Sequence, residues 1–183
     1  GRKDGLVTVE VDDHDPKFAA ELANAHIEEL TKLLGRLALT EAQERRVFIE
    51  QQLKKAKVGL TAAEIALKAT GISESAVKAS PTAAVGAVAS LMAQVAAKEV
   101  QLSAMRGYLT ESAPDFKRAQ SELAALRRQL AQTEKDSTSP ASGSDYITKY
   151  RDYKYYEVLF ELMAKQFEVA RIDESREGAV IQV

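Results

Sequence analysis

From Glu41 to Ala69 the chain carries a heptad seam, and no other stretch narrows the possible folds as far. Ala42, Ile49, Leu53, Ala56, Leu60, Ala63 and Leu67 occupy successive a and d positions, interrupted only where Arg45 and Arg46 stand. That is the pattern of a helix packed along its length against other helices. At 1.5 Å per residue it makes a rod of roughly 40 Å, longer than a compact domain of this size needs. Small residues at alternate seam positions let a partner helix approach closely. Thr40, with Gln43 three residues on, has the capping-box pattern of a helix start, and Thr70 with Gly71 reads as its stop. After a Ser73 to Pro81 loop, a helix from Thr82 carries Val88, Leu91, Val95, Leu102, Met105 and Leu109 at the same spacing, with Lys98 as the one polar intruder. Two such rods joined by a short loop predict an antiparallel hairpin.

Composition agrees with long helices. Aromatic residues make up 6% of the 183, and Trp is absent, while Ala, Leu, Glu, Lys, Arg and Gln are abundant. The lack of cysteine excludes a disulfide framework, a thiolate metal site and a Cys nucleophile. A net charge of −2 and a pI near 5.8 leave no basic footprint for nucleic acid. No run approaches the roughly 20 consecutive apolar residues of a membrane span, and no signal peptide is visible. Because the chain begins at Gly1 and stops inside an apolar run, it is expected to be part of a longer protein whose spanning segments lie beyond these ends.

The two ends carry a different pattern. Val7, Val9 and Val11 alternate with Thr8, Glu10 and Asp12, which predicts a strand over Leu6 to Val11. Asp15 and Pro16 then open a helix as N-cap and first helical residue. Its apolar face is Leu22, His26, Leu30, Leu33 and Leu37, and Gly35 is where it is expected to end or bend. Past the hairpin, Ser112, Ala113 and Pro114 mark either a kink or a new helix, with Phe116, Ala119, Leu123, Leu126 and Leu130 resuming the stripe. Lys135 to Ser144 reads as a linker, and Asp145 as the N-cap of a last helix. On that helix Tyr153, Tyr156, Phe160, Met163, Phe167 and Ala170 share a face. Gly178 breaks the pattern before Ala179 to Val183, a second strand by its β-branched weight. The expected fold is therefore α+β and predominantly α: a small sheet pairs the terminal strands, and long antiparallel helices project from it. Residues 1–39 and 145–183 would form an α/β base, 40–134 an extended helical hairpin region and 135–144 the linker, within one domain.

Candidates for chemistry are few. His14 among Asp12, Asp13 and Asp15 has metal-ligand residue types, but these carboxylates already serve the helix start. His26, on the apolar side of its helix, reads as a hydrogen-bonded packing residue. There is no Gly-rich phosphate loop, nucleophile elbow or helical His pair. Glu28, Glu29, Glu41, Glu44 and Glu50 lie on helix faces beside Lys and Arg and read as solvated charge. Tyr146, Tyr150, Tyr153, Tyr155 and Tyr156 admit two readings, a sugar-stacking platform or helix packing beside a sheet, and the second is preferred. Arg127 and Arg128 read as wet residues flanking a seam. Apolar positions beside the seams, Phe48, Ile65 and Val100, are the candidate contacts between protomers. No catalytic, cofactor or metal residue is assigned.

Two stretches carry a resemblance. LVTVEVDDHDPKFAAELANAHIEELTKLL, Leu6 to Leu34, and YKYYEVLFELMAKQFEVARIDESREGAVIQV, Tyr153 to Val183, resemble the two ends of the periplasmic domain of the polysaccharide co-polymerases, or chain-length determinant proteins. The likeness lies in the order of elements: strand, Asp-Pro helix, helical excursion, aromatic helix, closing strand. It implies a bacterial inner-membrane protein with one span on each side of this region, which faces the periplasm. It also implies a ring of identical protomers that sets the length of O-antigen, capsule or exopolysaccharide chains with a membrane polymerase, without being a glycosyltransferase or needing a cofactor. The polymerase and the polysaccharide itself are the partners it implies. A periplasmic adaptor of a secretion or efflux system is the alternative, since it too inserts a helical hairpin between distant strands, but the lipoyl-like β domain such an adaptor carries is not visible.

Overall fold

The computed structural model describes residues 8–71, 82–136 and 145–180. They form four helices: α1 (Pro16–Lys68), α2 (Thr82–Met105), α3 (Pro114–Asp136) and α4 (Asp145–Val180). The Ser73 to Pro81 loop, linker residues 137–144 and the end of the C-terminal run, 181–183, lie outside the described residues, as do Leu6 and Val7.

The expected α+β fold is overturned, because no strand or sheet is present among the described residues. Residues 8–11 have no regular structure, and Ala179 and Val180 are the last two residues of α4. The physical reason is hydrogen-bond supply. A strand needs a neighbour for its N–H and C=O groups, whereas each residue added to an established helix closes a bond within its own segment. Gly178 costs that helix about 1 kcal/mol, too little to stop it.

The same arithmetic removes the boundary expected at Gly35. α1 runs unbroken through it for 53 residues, since Leu33, Leu34, Arg36, Leu37, Ala38 and Leu39 around the glycine are mostly strong helix formers. Thr40 is not a cap. Its hydroxyl donates to the Arg36 carbonyl at 3.0 Å, the back-bond of a threonine inside a helix. The true start is Asp15-Pro16: Asp15 Oδ1 accepts from the Lys17 N–H at 2.9 Å, and Asp13 Oδ1 from the Asp15 N–H at 2.9 Å. The true stop is Gly71, whose φ of 68° is left-handed, a conformation open to glycine at little cost.

The chain divides into two compact units, Gly1–Gln43 with Asp173–Val183, and Glu44–Ile172. The core of the larger unit has two centres. One lies between α2 and α3, where Leu102, Met105, Phe116, Ala119 and Leu123 are buried together. Pro114 is the first residue of α3, so it opens a new helix and does not kink an old one. Lys98 and Glu99 pair across this hairpin with Glu122 and Arg127, each at 2.7 Å, which fixes register more than stability, given their exposure. The other centre joins α1, α2 and α4 through Ala56, Ala97 and Met163, with Leu53, Val100, Leu159, Phe160 and Leu162 packed against them.

The heptad seam is visible in burial. Ala42, Ile49, Ala56 and Ala63, seven residues apart, are buried, and Leu53, Leu60 and Leu67 between them are half-buried. Arg45, the intruder, lays its guanidinium 4.5 Å from the Tyr108 ring centroid. Arg46 pairs with Glu50 at 2.9 Å. No polar or charged side chain among the described residues is fully buried.

Candidate functional site

α1, α2 and α4 of the larger unit do not close on one another completely. They leave a cleft of about 430 Å³. α1 contributes Phe48, Gln52, Lys55 and Ala56; α2 contributes Ala96, Glu99, Val100 and Ser103; α4 contributes Tyr155, Tyr156, Leu159 and Met163. On each helix these positions are separated by one, three or four residues and stay within about two turns of one side, the spacing of a single face. Ala56 and Ala96 end at Cβ, so a gap stands where larger side chains would interlock.

Gly59 shapes one wall. A Cβ built on it would lie 2.8 Å from Tyr156 Cζ and closer still to Cδ1 and Cε1, so the tyrosine ring occupies the space a side chain would take. Tyr155 meets Tyr156 edge to face, with centroids 4.9 Å apart and planes at 70°, the favoured geometry for an aromatic pair. Burial, then the neighbouring Tyr156 and Glu99, push the Tyr155 phenol above its ordinary pKa, so it stays a neutral hydroxyl at any physiological pH. Gln166 Nε2 donates to the Ala97 carbonyl at 3.3 Å, tying α4 to α2 beside the cleft.

The other tyrosines have local employment. Tyr153 donates to Glu157 at 3.0 Å, and that contact is the main cause of its raised pKa. Tyr146 and Tyr150 stack at 6.1 Å. Of the five tyrosines weighed as a sugar platform, only Tyr155 and Tyr156 line the cleft.

The three residues read as contacts between protomers fall in different surroundings. Phe48 and Val100 come together in the cleft, both half-buried. Ile65 stands apart at 64% exposure. The smaller unit holds a feature whose residues were legible but whose openness was not. Ile27, Leu30, Leu33, Leu34 and Leu37 on α1 are 44–63% exposed, so the apolar face, of which Leu30, Leu33 and Leu37 were read, is left open.

His14 is exposed, and among the described residues no three His, Cys, Asp or Glu side chains group to hold a metal. His26 Nδ1 lies 2.9 Å from the Leu22 carbonyl, at the surface. Glu28 and Glu29 reach Lys32, and Glu50 reaches Lys54 as well as Arg46. Arg127, read as wet, holds Glu99. By length and composition α2 passes for a membrane span over Ala83–Met105, at a mean hydropathy of 1.3. Its packing on α3 through Leu102 and Met105 and its paired Lys98 and Glu99 make it a bundle helix here.

No family model, no curated protein and no solved structure matches the chain.

Proposed function

We propose that this chain is the periplasmic region of a bacterial inner-membrane protein that regulates surface-polysaccharide chain length. It acts as an oligomeric scaffold beside a membrane polymerase and makes or breaks no glycosidic bond itself. The likeness of its two ends to the chain-length determinants motivates the reading: of the order of elements that carried it, the Asp-Pro helix, the helical excursion and the aromatic helix are present, while no terminal strand is found among the described residues. The observation that carries it is the open apolar face of α1. Five large aliphatic side chains within eleven residues, Ile27 to Leu37, stand about half exposed, and an apolar patch of that kind on a helix is a surface for association. At heptad spacing Ile27, Leu30, Leu34 and Leu37 form the seam, flanked at the adjoining positions by Asn24, His26, Thr31, Leu33, Ala38 and Thr40. A second copy therefore meets no carboxylate, lysine or arginine along it.

The test replaces Leu33 and Leu37 by Glu in the full-length membrane protein. Each change alters an exposed position, so protomer stability should move by no more than about 0.5 kcal/mol per site. The particle mass in detergent should fall, and the length distribution of the polysaccharide made by the cells should change with it. An unchanged mass, or a changed mass with unchanged chain lengths, would remove the link between this face and length control.

A further inference from the structure

We propose that the cleft between α1, α2 and α4 binds a single-chain aliphatic carboxylate, a fatty acid of about ten carbons, with its chain along the floor and its head group at Lys55. The inference goes beyond the regulatory reading and does not depend on it.

Size limits the occupant first. The lining runs from Phe48 to Ala56 on α1, from Ala96 to Ser103 on α2 and from Tyr155 to Met163 on α4, which at 1.5 Å per residue is a length of roughly 10–12 Å. A single turn of a partner's helix, roughly 10–12 Å across and 5.4 Å in pitch, would displace roughly 500 Å³. That exceeds the cleft's volume of about 430 Å³, so the occupant is thinner than a helix. An extended carbon chain advances roughly 1.2 Å per bond, and about ten carbons span the same length. At roughly 30 Å³ for a group the size of a water or a methylene, one such chain fits with room for a head group, and two do not.

The interior suits a hydrocarbon. Ala56 and Met163 are buried, and Val100 and Leu159 pack against them. The aromatic wall is already in position, because the Tyr156 ring is seated in the space that Gly59 leaves and the Tyr155 ring abuts it at 70°. Fixed rings lose little freedom when a ligand arrives.

The rim selects the head group. Glu99, the carboxylate on the lining, is held by Arg127 at 2.7 Å, so that pair is neutral and Lys55 leaves the rim with a positive charge. Among the described residues none pairs with Lys55, Gln52 or Ser103. With Glu99 engaged, the rim is rich in donors: the Lys55 ammonium, which can only donate, the Gln52 amide and the Ser103 hydroxyl. The Tyr155 phenol, kept neutral chiefly by burial, adds a donor and no opposing charge. A carboxylate only accepts, and its hydrogen bond with an ammonium is roughly twice as strong as one between neutral groups. A neutral amphipath forgoes that bond, and a cationic one is repelled.

The experiment titrates the 183-residue chain with decanoate below its micelle concentration, while side-chain resonances are followed by NMR. Decyltrimethylammonium, with the same chain and the opposite charge, and butyrate, with the same head group and a short chain, are the comparisons. Decanoate should bind one to one, shift Phe48, Tyr155 and Tyr156, and bind about tenfold more tightly than either comparison. Lys55→Gln, at an exposed position, should weaken decanoate about tenfold without weakening decyltrimethylammonium. Lys57→Gln, outside the cleft, should change nothing. Ala96→Leu fills the cleft and should abolish binding. Helical circular dichroism shows that each variant is folded; should Ala96→Leu fail that check, Ser103→Leu, at an exposed position, narrows the same cleft and should weaken binding. The proposal is overturned if decanoate leaves these resonances in place, if either comparison binds as tightly, or if Lys55→Gln does not weaken it. Shifts of the same resonances with protein concentration alone would put a second copy in the cleft and overturn it too.

Discussion

Replacing Gly59 by Ala should change sign with its background. Inside a helix, alanine is favoured over glycine by about 0.5–1 kcal/mol, and Gly59 lies well inside α1. Opposed to that is the Tyr156 ring, three of whose carbons lie within 2.8 Å of the new Cβ. Contacts that short do not occur, so the ring must move. Displacing it disturbs its edge-to-face contact with Tyr155 and costs about 1–3 kcal/mol, the range for overpacking a filled site. The net effect in the natural chain is a loss of about 1 kcal/mol. In a Tyr156→Ala background the obstacle is gone, and the same Gly59→Ala change should stabilise by about 0.5–1 kcal/mol. A double-mutant cycle by urea unfolding, followed by helical circular dichroism, measures the difference as a coupling of about 2 kcal/mol. If Gly59→Ala stabilises equally in both backgrounds, Tyr156 does not rest on Gly59 and the wall of the cleft is wrongly described.

Phe116→Ala should cost about 3–5 kcal/mol, because this side chain is 1% exposed at the centre of the α2–α3 hairpin; calorimetry checks it. Ile65→Glu, by contrast, alters a 64% exposed position and should leave the melting temperature nearly unchanged, while altering assembly of the full-length protein if this face of α1 is also used. The hydrogen bond and charge of Lys98 hold the Glu122 carboxyl below its ordinary pKa. A carboxyl with a depressed folded-state pKa contributes stability that is present above its unfolded value and lost as pH falls through the folded one. Glu122→Gln should therefore remove that contribution at neutral and alkaline pH, leave stability at the acid end unaltered, and so flatten the fall between them, as pH-dependent unfolding would show.

How much of this was legible depended on whether a signal was periodic or local. Ala42, Ile49, Ala56 and Ala63 recur every seven residues, and they emerge buried because a repeat over about six turns leaves one face available. Asp15 with Pro16 was readable because proline suits few helix positions other than the first, whereas Pro114 left a kink and a new helix equally open until the structure showed it opening α3. Gly35, Thr40 and Gly178 misled, since a residue that permits a boundary does not impose one on a long helix whose neighbours favour continuation. The strand patterns failed for a related reason: Val9 and Val11, or Ala179 and Val180, specify a strand only when a partner is in reach, and alternation cannot supply one. The cleft was hidden because its wall depends on Gly59 and Tyr156 meeting across 97 positions of chain. Neither residue announces that meeting. Tyr155 and Tyr156 carried the hint, but only their geometry separates them from Tyr146, Tyr150 and Tyr153.

The central claim is that this chain sets polymer length without making polymer. The most direct measurement compares, by gel electrophoresis, the surface polysaccharide of cells that carry the full-length protein with that of cells in which its gene is deleted. The account predicts that polymer persists after deletion but loses its preferred length, spreading into a broad distribution that the restored gene narrows again. An unchanged distribution, or disappearance of the polymer altogether, would contradict it.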